Sequence, residues 1–231
     1  MTTGLIFELE KLEKELDLLH QIAAPLLTPA GYRSLVAARW QLRGLARDNP
    51  RAVWRISEPV STVFSSGEYM SDGRGEHTLR GHLTTTWDLT RHGRMVEVRD
   101  NVSTVVAWES DGRTVASYRM DISAVPGAPG CGLHTQIHNH PEWFPADLDV
   151  PRFPTFIPTV GGVLEFVLSE LFQTRWTRLL AGHRLANSWR DLQQELWLNY
   201  LDWQRQIVGR SAVSPWTDLK ANLCRDLTPH A

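Results

Sequence analysis

The 231-residue sequence predicts an α+β fold: an N-terminal helical hairpin, a central antiparallel meander, and C-terminal helices packed on the apolar face of the sheet. Three observations predict it. Helical spacing of apolar residues fills residues 1–48, period-two alternation takes over across 52–140, and helical spacing returns across 159–226. A proline-rich loop, 141–158, separates the last two zones. With 42% apolar residues the chain can bury one good core and little more, so it reads as a single domain, 1–231, with 1–48 as a helical extension.

In the first zone apolar residues recur at Leu5, Leu9, Leu12, Leu16, Leu19, Ala23 and Leu26, a spacing that lays a stripe down one side of a helix. Two readings stand. The stripe packs on its own domain, or Leu5, Leu9, Leu12, Leu16 and Leu19 form a seam for a homo-oligomer or a docking partner. Pro25 and Pro29 flank its end, and a second helix is expected from Pro29 to about Arg47, with Leu35, Trp40 and Leu45 among its apolar residues.

The middle zone is rich in Val, Thr and aromatic residues and is broken by turn signals, so about five or six antiparallel strands are expected. Asp111-Gly112 closes the clearest hairpin, with arms Val102 to Ser110 and Arg113 to Ile122, because a two-residue turn needs positive φ. Thr78 to Leu89 is a further strand. Leu79, Leu83, Trp87 and Leu89 point one way; Arg80, His82, Thr84, Thr86 and Asp88 point the other. Leu133 to His140 repeats the pattern, with His134, Gln136, His138 and His140 on the polar side.

The last zone opens after Pro158 and Gly161-Gly162 with VLEFVLSELFQTRW, apolar nearly all round and so expected against the sheet. A second helix is expected from Asn187 as N-cap, with Trp189, Leu192, Leu196, Tyr200, Trp203 and Ile207 on one stripe. Trp176, Trp189, Trp197 and Trp203 are read as core rather than as a stacking platform.

Charge narrows the function. Lys plus Arg number 24 against 26 Asp plus Glu, so no overall field favours nucleic acid or an anionic membrane. Cys131 and Cys224 make no CxxC pair, which fits a reducing compartment, and the cytoplasm is the expected location. Acids and lysines interrupt every apolar run of MTTGLIFELEKLEKELDLL, so neither a signal peptide nor a membrane span is expected there. No G-x-S-x-G, Walker loop, strand-following G-x-G-x-x-G, H-E-x-x-H or EF-hand loop is present.

The chemistry concentrates between Leu133 and Pro158. Three of the nine histidines fall within residues 134–140, and five of the thirteen prolines within 141–158. Histidine supplies a titratable nitrogen or a metal ligand, and the prolines stiffen the loop that carries Arg152. On a strand His134 and His138 are about 13 Å apart, too far to share one ion. His138 and His140, about 6.6 Å apart, could chelate together as an H-x-H pair, completed by Glu142, Asp147, Asp149 or His82. A metal-free alternative makes His82 and His134 the base and acid of phosphoester chemistry, with Thr84 in an H-x-T pattern. There His134-Thr135-Gln136 departs from the pattern, because its threonine points to the opposite face. Arg152, framed by Pro151 and Pro154, would contact an anion or pair with Asp147 or Asp149.

His134 and Gln136, then Pro151-Arg152-Phe153-Pro154, Pro158 and the helix from Val163 to Trp176 resemble the C-terminal signature of an uncharacterised family of small bacterial proteins. The resemblance implies a sheet with His134, Gln136 and Arg152 near its functional surface, and a bacterial cytoplasmic setting. It implies no activity or cofactor, and the N-terminal leucine helix is not part of it. The expectation is a soluble binding or assembly protein. His82, His134, Gln136, His138 and Thr84 form its polar sheet face, and the Arg152 loop closes over an anionic ligand or partner chain. A phosphoester hydrolase or nuclease-like enzyme, and a structural subunit docking through the leucine helix, are the alternatives.

Overall fold

A computed structural model describes residues 5–66, 69–70, 76–122, 133–139, 153–154 and 159–208. A short strand β1 (Ile6–Glu8) leads into α1 (Leu9–Ala23), a 3-10 turn (Ala24–Leu26) and α2 (Pro29–Arg43). The strands follow: β2 (Asp48–Ser61), β3 (Tyr69–Met70), β4 (Glu76–His77), β5 (Arg80–His92), β6 (Met95–Ser110), β7 (Arg113–Ile122), β8 (Leu133–Asn139) and β9 (Phe153–Pro154). Helices α3 (Val160–Gly182) and α4 (Ala186–Val208) complete the described chain. The fold is α+β. Its main sheet is antiparallel in the order β2-β5-β6-β7-β8-β9, with β1 paired to the start of β6, while β3 and β4 form a separate two-stranded ladder.

The N-terminal zone is no appendage. Ile6, Phe7 and Glu8 pair with Glu97, Val96 and Met95, so the chain enters through the sheet before it turns helical at Leu9. Leu5, Leu9, Leu12, Leu16 and Leu19, with Ala23 and Leu26, are 0–4% exposed and belong to one core with the sheet and α3. The leucine stripe is therefore occupied by its own chain and is not an open seam for a second copy. Helix α2 begins where expected: Thr28 caps it by accepting Gly31 N–H at 3.0 Å, and Pro29 follows. It stops at Arg43 rather than Arg47. Trp40 lies 53% exposed, with the Arg39 and Arg43 guanidinium groups 5.0 and 5.3 Å from its ring.

The Asp111-Gly112 hairpin forms as the sequence demands, with φ of 49° and 75° at its two turn residues. Register then defines the faces. Leu83, Val106 and Tyr118 lie in one lateral row, Thr85, Thr104 and Met120 in the next, and Trp87 and Val102 in a third. These rows carry the core. Trp54 of β2 meets the Trp87 ring edge-on at 5.5 Å and donates its indole N–H to Ala38 O of α2 at 2.9 Å. β6 carries extra residues between its pairings with Trp87 and Leu89, and beside that irregularity Asp88, expected on the polar face, is buried.

Helix α3 crosses β5 at Gly81, where a Cβ would stand 2.6 Å from Val167 Cγ1 and 3.4 Å from Leu171 Cδ1. Gly81→Ala should cost about 1–3 kcal/mol as those flexible side chains give way, a loss that urea unfolding would measure. Val163, Leu164, Val167, Leu168, Leu171 and Phe172 are buried, but the helix breaks at Gln173, whose φ is 36°. In α4, Asn187 is not the N-cap. The helix begins one residue earlier at Ala186, and His183 Nδ1 accepts Leu185 N–H at 3.2 Å ahead of it. Trp176, Trp189 and Trp203 are core residues, whereas Trp197 is half-buried.

Candidate functional site

The sheet face opposite the core is laid out in lateral rows by strand register. Ser61, His82, Ala107, Ser117 and His138 lie in one lateral row. Thr84, Val105, Arg119 and Gln136 form the next, and Arg55, Thr86, Ser103, Asp121 and His134 the one beyond. His82, Thr84, Thr86, Ser103, Val105, Ala107 and Ser117 are all partly buried.

This grid corrects the pairing of His82 with His134. Strands β6 and β7 stand between β5 and β8, so the two histidines are separated laterally by three strand spacings, about 14 Å, and lie two rows apart. They cannot flank one phosphate. His138, not His134, shares the row of His82, and it too is three strands away.

What His82 does meet is nearer its own strand. Its Nδ1 lies 2.8 Å from Ser61 Oγ on β2, and its Nε2 lies 2.8 Å from Glu109 Oε2 at the end of β6. Arg80 Nη2 donates to both oxygens of Glu109, at 2.7 and 2.9 Å, and its guanidinium lies 4.8 Å from the Phe64 ring. The Arg80 hydrogen bond, followed by that of His82, holds the Glu109 carboxyl below its ordinary value, against burial, which pushes it up. Arg80 Nε is the one buried side-chain donor without a partner among the described residues. The backbone of Ser61 is pinned as well, its carbonyl accepting Thr28 N–H at 2.9 Å and Thr28 Oγ1 at 3.2 Å.

At the far side of the face, Arg119 Nε lies 2.7–2.9 Å from the Asp121 carboxylate, with Asp121 buried and the Arg119 side chain 51% exposed. Register sets Arg119 opposite Gln136 and Asp121 opposite His134. The returning strand β9 pairs Pro154 with His134 and Phe153 with Thr135, so the chain directly after Arg152 runs along β8. Arg152 itself and His140 lie outside the described residues, as do Glu142, Asp147 and Asp149. Among the described residues no group of three His, Cys, Asp or Glu side chains could hold a metal, and His82 is committed to Ser61 and Glu109.

A third polar centre lies inside the helical layer. Glu15 of α1 is fully buried and accepts from Thr159 Oγ1 at 2.5 Å, Gln193 Nε2 at 2.8 Å and Gly161 N–H at 3.2 Å. One carboxyl thus ties α1 to the first turn of α3 and to α4. Burial pushes it up from 4.5 to about 7, against the pull of those three hydrogen bonds. Neighbouring Glu165, raised by burial as well, accepts the Trp189 indole N–H at 2.9 Å. At the β2 edge, a groove of about 300 Å³ is lined by Arg33, Ser34 and Gln41 of α2 and by Arg55, Ser57 and Glu58 of β2.

Sequence reasoning placed His82 and Thr84 on the right face but missed Ser61, Glu109 and Glu15. Ser61 and Glu109 lie 21 and 27 positions from His82 and reach it only through strand register. No family model, curated protein or solved structure matches the chain. No helix among the described residues is long and apolar enough to cross a membrane.

Proposed function

We propose that the chain is a binding protein that takes an anionic ligand on its polar sheet face, where β7, β8 and β9 meet. The observation that carries this reading is the half-exposed Arg119 guanidinium on that face, in register with Gln136 and one row from His134. An arginine fork fixed by a buried carboxylate is pre-organised for a planar or tetrahedral oxyanion, and its outward N–H groups remain to be shared. The return of β9 beside His134 supports a contribution from Arg152, as the resemblance implies. The proposed setting is the bacterial cytoplasm, and the ligand a phosphate- or carboxylate-bearing small molecule.

Calorimetric titration of the full chain with inorganic phosphate, and separately with succinate, tests it. At least one is expected to bind saturably, with Arg119→Ala weakening binding by about 10- to 100-fold, the worth of one charge-assisted hydrogen bond. A His134→Ala, Arg152→Ala double variant is expected to weaken it further. Absence of saturable binding by the native chain, or equal affinity in Arg119→Ala, overturns the reading. The hydrolytic alternative built on His82 with His134 loses its footing to the strand order.

A further inference from the structure

Ser61, His82 and Glu109 form a continuous hydrogen-bonded chain, each link 2.8 Å long. The direction of the protons follows from the charges. Arg80 keeps Glu109 ionised, so the carboxylate accepts and His82 Nε2 must carry the hydrogen. In the neutral ring the lone pair is then on Nδ1, and the Ser61 hydroxyl donates to it. A serine hydroxyl on an imidazole whose other nitrogen is held by a carboxylate is the arrangement that generates a serine nucleophile. The usual order of the ring nitrogens is reversed here, but the proton path is the same.

The surroundings favour that use. Ser61 is partly exposed, as are His82 and Glu109, at 22% and 14% of their side chains, so the chain reaches water without being flooded by it. The first turn of α2 abuts Ser61: Thr28 holds its carbonyl, and Gly31 leaves no space for a side chain there. The first turn of a 15-residue helix therefore fixes the backbone from which the Ser61 hydroxyl projects toward His82.

We infer that Ser61 is a base-activated nucleophile toward small activated carboxylic esters, with His82 as its general base and Glu109 as the group that orients His82. Ser61 Oγ bonds to the ester carbonyl carbon as its proton passes to Nδ1. The tetrahedral adduct expels the alkoxide, which takes that proton and departs as an alcohol. Water then gives its proton to Nδ1 and adds to the acyl carbon, and Ser61 leaves with the proton returned, releasing the carboxylic acid. No oxidant or reductant enters. The inference is independent of the anion reading, since phosphate binding at Arg119 can fail while Ser61 reacts, and the reverse.

A fluorophosphonate probe tests it on the full chain, because the same nucleophile forms an O–P bond and displaces fluoride while its proton goes to His82. Intact mass should show one phosphonyl group per chain, and peptide mapping should place it on Ser61. Ser61→Ala should abolish labelling, and His82→Ala should slow it by about 100-fold or more, the range of general-base assistance. Should His82→Ala lose its melting transition, Glu109→Gln serves instead. It should slow labelling at least about tenfold and move the midpoint of the pH–rate profile, which a merely structural role would leave in place. An unlabelled native chain, a label that persists in Ser61→Ala, or labelling of folded His82→Ala at the native rate overturns the inference.

Discussion

Raising the pH from 5 to 8 is expected to destabilise this protein by about 2.5 kcal/mol through Glu15 alone. In the folded chain its carboxyl titrates at about 7, in the unfolded chain at the ordinary 4.5. Between those values the folded state holds the extra proton, so stability falls as pH rises. The contribution is fully present below 4.5 and is lost as pH passes through 7. Glu165, raised by burial too, acts in the same sense. Glu109, held low by Arg80, acts in the opposite sense, and its contribution is lost in acid below its ordinary range. Urea unfolding at pH 5, 6, 7 and 8 measures the slope. Glu15→Gln removes the titration while keeping an acceptor oxygen, and should flatten the difference between pH 5 and 8 to under about 1 kcal/mol. Glu15→Leu should be worse than either at every pH. It strands Thr159 Oγ1, Gln193 Nε2 and Gly161 N–H in the interior, at about 1–3 kcal/mol for each buried donor left unpaired. Equal stability of the native chain at pH 5 and 8, or an unchanged slope in Glu15→Gln, would dispose of this account.

Glu15 also illustrates which parts of the fold sequence reading reaches. Hairpins closed by a residue pair that needs positive φ are visible, because Asp111-Gly112 states its own backbone geometry. Long amphipathic strands are visible as well, and β5 alternates as its sequence does until the bulge after Trp87. A three-residue strand is not. Leu5 and Phe7 point into the core from extended backbone, yet Leu5 also fits the helical spacing that begins at Leu9, so β1 merges with the helix pattern. A buried acid is equally concealed. In MTTGLIFELEKLEKELDLL, Glu15 reads as one of the charges that interrupt the apolar run, and only the meeting of α1, α3 and α4 gives it partners.

The same limit governs the candidate site. Alternation correctly assigned His82 and Thr84 to the polar face, since face is a property of one strand. Which polar residues touch is a property of strand order. Two intervening strands separate His82 from His134, while strands on either side of β5 bring Ser61 and Glu109 to His82. The H-x-T pattern at His82 therefore pointed to the wrong partner in His134. The chemistry of His82 resides in residues with no motif of their own.

Gly31→Ala is expected to destabilise the chain by about 3 kcal/mol or more, lowering Tm by about 6–12 °C for a domain of this size. A Cβ on Gly31 would stand 2.3 Å from Ser61 O and 2.5 Å from Ser61 N. Those are backbone atoms, so no side chain can rotate away. Ser61 O is held by Thr28 N–H and Oγ1, and the adjoining chain by Val63 N–H to Leu26 O and the Leu27–Thr62 bridge. Relief thus requires α2 to lift off β2, breaking that network and disturbing Trp54 against Ala38. Alanine's better helix propensity returns only about 1 kcal/mol, so the clash decides the sign. Gly182→Ala is the control, because a Cβ there meets nothing within 4 Å; its Tm should stay within a few degrees of native. If Gly31→Ala melts with the native chain, the close seating of α2 on Ser61 is wrong. If it folds but α2 has shifted, Ser61 should move with its pinned carbonyl, lengthening the 2.8 Å contact to His82 Nδ1. Phosphonylation of Ser61 would then fall even where His82 and Glu109 are intact, which ties the reactivity to the geometry that α2 imposes.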